Sequence, residues 1–196
     1  NKLTRIAKET GVHTTQNMQD LLDAPVVLLS IKPDNVSEVL EPFVNAGKSP
    51  LLISLVAGVS LESLAKTMPE GTPIVRVMTN TPSLIGEGMS ALAGNAHVTP
   101  EQQAQAEAIF SAVGQALVVP EKYMDAVTGL SGSGPGFFFI VVDAMIEAGV
   151  LQGLPRAIAR QLVLQTMKGS ALLMQESDRH PAELRDMVTS PGGTTI

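Results

Sequence analysis

The 196-residue sequence has no cysteine. Disulfides, thiolate zinc sites and a cysteine nucleophile are therefore excluded, and the composition fits a reducing compartment, so a cytoplasmic location is the expectation. Clustered basic residues are missing too. The formal net charge of -6 is spread along the chain, leaving no electrostatic footprint for nucleic acid or an anionic membrane. Long apolar runs are scarce: the longest, Phe137 to Leu151, is interrupted by Asp143 and Glu147 and is too short to span a bilayer, so no membrane segment is expected. His13, His97 and His180 lie far apart and no carboxylates cluster, so no metal site is expected. The chain opens on Asn1-Lys2-Leu3-Thr4, with neither an initiator Met nor a signal-peptide pattern, and reads as the middle of something longer.

With 44% apolar and 16% charged residues, the chain can supply a core for one large domain or two modest ones. From residue 1 to about Val119, short β-branched apolar runs alternate with amphipathic stretches, the signature of βαβ units around a parallel sheet. Val26 to Ile31, Leu51 to Val56, Pro73 to Met78 and Ala116 to Val119 read as strands, and the first two are continuous apolar runs that suit burial on both faces. Asn35-x-x-Glu38 and Thr99-Pro100-x-Gln102 predict helices starting near residues 36 and 100. After Glu121 the pattern is helical, over Asp125 to Leu130, Gly136 to Leu151, Pro155 to Met174 and Pro181 to Val188. The helix carrying Phe137 to Val142 is apolar on nearly every side and needs cover all round. A buried core position and a homodimer face both satisfy that requirement.

Ligands of open α/β sheets sit at the carboxyl ends of strands. Ser30-Ile31-Lys32-Pro33, Ala57-Gly58-Val59 and Met78-Thr79-Asn80-Thr81-Pro82 each follow a predicted strand, and their small or turn-forming residues let backbone approach a flat ligand. Ser131-Gly132-Ser133-Gly134-Pro135 runs into the apolar helix, as an anion-accepting helix start or as a tight interdomain connection. At the end of the chain, in Ser190-Pro191-Gly192-Gly193-Thr194-Thr195, the proline fixes one turn and the glycines are free to take positive φ. Converging N–H groups there suit a carboxylate, and capping of a following helix is the plainer use of the same residues.

In order, Ile31-Lys32-Pro33, Ser54 to Val59, Arg76-Val77-Met78-Thr79-Asn80-Thr81-Pro82, Ser131 to Pro135 and Val188 to Thr195 resemble the pyrroline-5-carboxylate reductase family. Val56 and Gly136 depart from its usual alanines, small changes that adjust packing. The resemblance implies an α/β protein: an incomplete Rossmann-like parallel sheet domain over residues 1–120, followed by an all-helical dimerisation domain over 121–196. Ends are expected to be missing, including a first strand, Gly-rich turn and helix of about 30 or more residues. It also implies reduction of 1-pyrroline-5-carboxylate to L-proline by NADPH or NADH, in a homodimer or larger homo-oligomer. Asn17, Ile31, Lys32, Pro33 and Ala57 would line the cofactor groove, with Asn80 and Glu121 near the nicotinamide end. Ser190, Gly192, Gly193, Thr194 and Thr195 would hold the substrate, with Thr195 as the catalytic hydroxyl. A β-hydroxyacid-type dehydrogenase, with Lys168 as general acid, and a non-catalytic dimerising or cofactor-binding fragment are the competing readings.

Overall fold

The computed structural model describes residues 2–196. It divides into two compact units, one ending at Pro135 and one running from Gly136 to Ile196. The first holds α1 (Lys2–Thr10), β1 (Val26–Leu29), α2 (Val36–Asn45), β2 (Leu51–Ser54), α3 (Leu61–Lys66), β3 (Ile74–Met78), β4 (Gly88–Gly94), α4 (Pro100–Ser111), β5 (Gly114–Val118) and α5 (Met124–Val127). The strands form one five-stranded sheet in chain order. Alternating side chains bury its two faces in separate cores. Leu52 and Ile74 join Leu40 and Phe43 of α2 and Leu64 of α3 on one face; Leu51, Ile53, Val75 and Val77 join Ala106 and Phe110 of α4 on the other. Burial on both faces is why Leu51 to Val56, which contains β2, reads as an apolar run.

The predicted strands appear with shorter or shifted ends, and β4 is an addition. It pairs antiparallel with β3, while β1, β2 and β3 are mutually parallel. The sheet is therefore mixed, not parallel throughout. Gly88-Met89-Ser90-Ala91-Leu92-Ala93-Gly94 carries small residues that favour strands weakly, so no strand pattern shows in the sequence. Gly88 is required by packing, since a Cβ there would meet Ser83 and the Val113 carbonyl; Gly114, opposite it in the β4–β5 register, is required because its Cβ would overlap the Gly88 backbone. Helices begin at Val36 and Pro100 as the sequence predicts. Thr99 and Gln102 complete a reciprocal capping box, whereas Asn35 occupies the cap position without a side-chain bond.

Residues 121–135 belong to the sheet-bearing unit, so the compact division falls after Pro135 rather than after residue 120. Met124 is fully buried in the core that contains α2 and α3. Beyond α5, Thr128–Gly132 forms a π-helical turn. The Gly/Ser stretch is thus wound helix, with the Ser133 N–H donating to the Thr128 carbonyl at 2.8 Å, and its amides do not fan out as an anion-binding loop.

The second unit contains nearly all of α6 (Gly134–Leu151), then α7 (Arg156–Ser177) and α8 (Pro181–Met187). Gly149 lets α6 and α7 cross closely, since a Cβ there would sit 3.1 Å from that of Ala159. Ile146, Ala159 and Val163 form a small core, and Arg156 forks onto Glu147 through two hydrogen bonds of 2.5 and 3.0 Å. Those bonds hold the Glu147 carboxyl below its ordinary range. The rest of the apolar helix is uncovered: Phe139 is 63% and Ile140 70% exposed, so burial within this chain is not how α6 is satisfied. Because the π turn keeps the chain helical, Glu121–Leu151 is long and apolar enough, by length and composition, to cross a membrane.

Candidate active site

The loops leaving β1, β2 and β3 lie on one edge of the sheet, because these three strands are parallel neighbours. After β1, Ile31 packs against the core while Lys32, in extended conformation, and Pro33 are exposed. Lys32 makes no ion pair among the described residues. After β2, the Ser54 hydroxyl accepts the Val56 N–H at 3.3 Å and bends the chain. Ala57 is then exposed, and Gly58 takes φ +76° with open space where a Cβ would be. A left-handed glycine without neighbours lets a planar ligand approach the backbone.

After β3, Asn80 is a junction. Its Oδ1 accepts the Met89 N–H of β4 at 2.9 Å, and its Nδ2 donates to the Ser131 carbonyl in the π turn at 3.1 Å. The Ser83 hydroxyl donates to the Asn80 carbonyl, and Thr79 accepts from Ser90 at 2.9 Å. Gly132 abuts Met78, whose sulfur would be 3.2 Å from an added Cβ. The loop after β3, β4 and the π turn are therefore one hydrogen-bonded piece.

Asn17 and Glu121 are the other two expected cofactor positions. Asn17 lies on the segment entering β1, where its side chain accepts from Gln19 N–H at 3.2 Å and donates to Asp20 at 3.1 Å, shaping a short 3-10 turn. Glu121 follows β5, which runs opposite to β1–β3, yet its carboxylate reaches the exit of the loop after β2. Its Oε1 accepts the Leu61 N–H at 2.6 Å and pairs with Arg76 at 3.2 Å. Arg76 heads one of the family-like motifs, but the motif alone assigns it no role. A lone charge inside Ile74-Val75-Arg76-Val77-Met78 was the available signal, because a buried cation requires a partner.

The tail belongs to the helical unit. Thr189 donates to the Asp186 carbonyl at 3.2 Å, ending α8. Ser190 to Gly193 then form a tight turn, closed by the Gly193 N–H on the Ser190 carbonyl at 2.9 Å. Pro191 supplies the first central position and Gly192, at φ +69°, the second, the arrangement of a type II turn. Gly193 is not left-handed; it is small for another reason, since a Cβ would meet the Ser190 hydroxyl and its carbonyl. Thr194 and Thr195 are exposed, and their hydroxyls have no partner among the described residues. Lys168 is exposed on α7.

Residues 121–196 match the family profile "Pyrroline-5-carboxylate reductase dimerisation", and residues 1–58 match "NADP oxidoreductase coenzyme F420-dependent". A pyrroline-5-carboxylate reductase from Synechocystis is 52% identical over 87% of this chain and 64% of its own length. One from Methanosarcina acetivorans is 46% identical over 93% of this chain and 68% of its own. The chain thus spans about two thirds of these relatives. Among solved structures, the enzyme of that name from Coxiella burnetii superposes with a TM-score of 0.89 at 38% identity, covering 99% of this chain and 73% of that one. The Plasmodium falciparum pyrroline carboxylate reductase with NADP bound gives 0.88 at 33%, covering 95% and 71%. Identities of 33 to 52% over most of the chain, with one fold shared across relatives from cyanobacterium to parasite, settle the assignment: the chain belongs to the pyrroline-5-carboxylate reductase family.

Proposed function

We propose that the protein reduces 1-pyrroline-5-carboxylate to L-proline with NADPH or NADH, the last step of proline biosynthesis. The observation that carries this reading is the presence, in one chain, of three strand-end loops open to a flat ligand and a Pro-Gly turn flanked by unpartnered hydroxyls. The residues fit a dinucleotide: Lys32 is an exposed cation without an ion pair among the described residues, suited to phosphate, and Ala57-Gly58 presents a surface without bulk. NADP is bound by the Plasmodium relative, which supports the same class of cofactor here. Ile31, Lys32, Pro33 and Ala57 would line the groove, Asn80 would hold the loop at the nicotinamide end, and Asn17 would shape the approach to β1.

A reduced nicotinamide, when bound, supplies the hydride. The protein's share is placement and charge. A C=N carbon accepts hydride most readily when its nitrogen is protonated, because the iminium charge is neutralised in the transition state. The Ser190 to Gly193 turn would fix the substrate carboxylate, with Thr194 beside it. The Thr195 hydroxyl would hydrogen-bond the ring nitrogen, orienting it and assisting its proton. We further propose that residues 121–196 form a substrate-binding and dimerisation region, and that a second copy covers the exposed faces of α6. A cytoplasmic location accords with the absence of cysteine.

The test is a fluorescence titration with NADPH followed by turnover of 1-pyrroline-5-carboxylate. Saturable binding with proline formation is expected. Absence of both would leave a dimerising fragment as the better description of the chain.

A further inference from the structure

Arg76 stands in the middle of β3, between Val75 and Val77, with its side chain 8% exposed. A guanidinium this deep has to be charge-paired. Both partners come from the helical turns after β5: Nη1 lies 3.2 Å from Glu121 Oε1, and Nη2 lies 3.6 Å from Asp125 Oδ1. The same Glu121 oxygen accepts the Leu61 N–H at 2.6 Å. Leu61 is the first residue of α3, and the residues immediately before it, Ala57 to Ser60, are the loop leaving β2.

That loop is pinned at both ends. Ser54 fixes its entry by accepting the Val56 N–H at 3.3 Å, and Glu121 fixes its exit at Leu61. Between the pins, Ala57 and Gly58 are exposed, and Gly58 sits in a left-handed conformation with nothing packed against it. A glycine so placed loses much freedom when ordered, and nothing but its flanks can order it in advance. We propose that Glu121 is a positioning residue for the cofactor: held by the buried Arg76 charge, its carboxylate presets the Ala57–Ser60 loop and so raises dinucleotide affinity without touching the reacting atoms. This rests on the cofactor reading of that loop. Preordering a binding loop lowers the entropy lost on binding, so its removal weakens the complex and leaves the saturated rate in place.

The test combines amide hydrogen exchange of the cofactor-free protein with NADPH titration and steady-state kinetics. Glu121→Ala is expected to speed Leu61 exchange and raise the NADPH Kd, each by about tenfold, the scale of one lost charge-assisted hydrogen bond. The KM for the imine at saturating NADPH should not change. Glu121→Gln keeps an acceptor oxygen for Leu61 and should restore most of both effects. If Glu121→Ala does not fold, Glu121→Asp keeps the charge but shortens the reach, and should show the same two changes at smaller size. Unaltered Leu61 exchange, an unaltered NADPH Kd, or a rise confined to the imine KM would each overturn the proposal. Should the unmutated protein fail to bind NADPH, the cofactor reading fails by itself. Leu61 exchange then decides whether Glu121 orders the loop: acceleration in Glu121→Ala supports that role, and no change removes it.

Discussion

Thr195 carries an exposed hydroxyl with no protein partner among the described residues, so truncating it breaks no internal bond. Thr195→Ala is therefore expected to leave stability alone and to lower kcat/KM for the imine by more than about tenfold, or ~1.4 kcal/mol of transition-state stabilisation. Steady-state kinetics beside a thermal melt would separate the two effects, and unchanged kinetics would remove Thr195 from the chemistry. The neighbouring glycines were legible as a turn, but only Gly192 uses its conformational freedom. Gly193 is small to make room for the Ser190 side chain, a steric demand invisible until the turn closes. Glu121 shows the same limit from the other side. Its partners, Leu61 and Arg76, are 60 and 45 residues away in sequence, and no local pattern announces such pairings.

At the scale of elements, local chemistry predicts best where a helix closes its own terminus. The α4 capping box follows from Thr99-Pro100-x-Gln102 alone and appears with both of its bonds, at 3.3 and 3.0 Å. Thr99→Ala should cost about 1 kcal/mol, which for a chain of this size lowers Tm by about 2–4 °C in calorimetry. An unchanged Tm would mean that tertiary packing, not the cap, sets the start of α4. Elements defined by their neighbours were not legible. Strand β4 is strand because β3 and β5 flank it, despite residues with little preference for that state. The π turn at Thr128–Gly132 hides in a Gly/Ser sequence that reads as loop, and it is held from outside by Asn80.

For the whole molecule, the unresolved demand is cover for α6 and α7. Phe137, Phe139, Ile140, Leu162 and Leu173 are each at least half exposed, and an apolar groove of about 380 Å³ runs between Phe138, Met145, Val163, Met167 and Met174. Contiguous apolar surface of this kind marks an interface. Light scattering coupled to size exclusion should report a dimer, and Ile140→Glu should shift it to monomer with the sheet unit still folded; a persistent dimer would place the contact elsewhere. That α6 needs cover was readable from the all-round apolarity of Phe137 to Val142, whereas the choice between core and partner turns on how little α7 covers. The order of the strands has a consequence of its own. Since β1 to β5 lie side by side as they occur along the chain, each of β2 to β5, leaving the ribosome, meets an edge laid down just before it. The sheet can thus grow by accretion during synthesis, with no strand waiting for a neighbour not yet made.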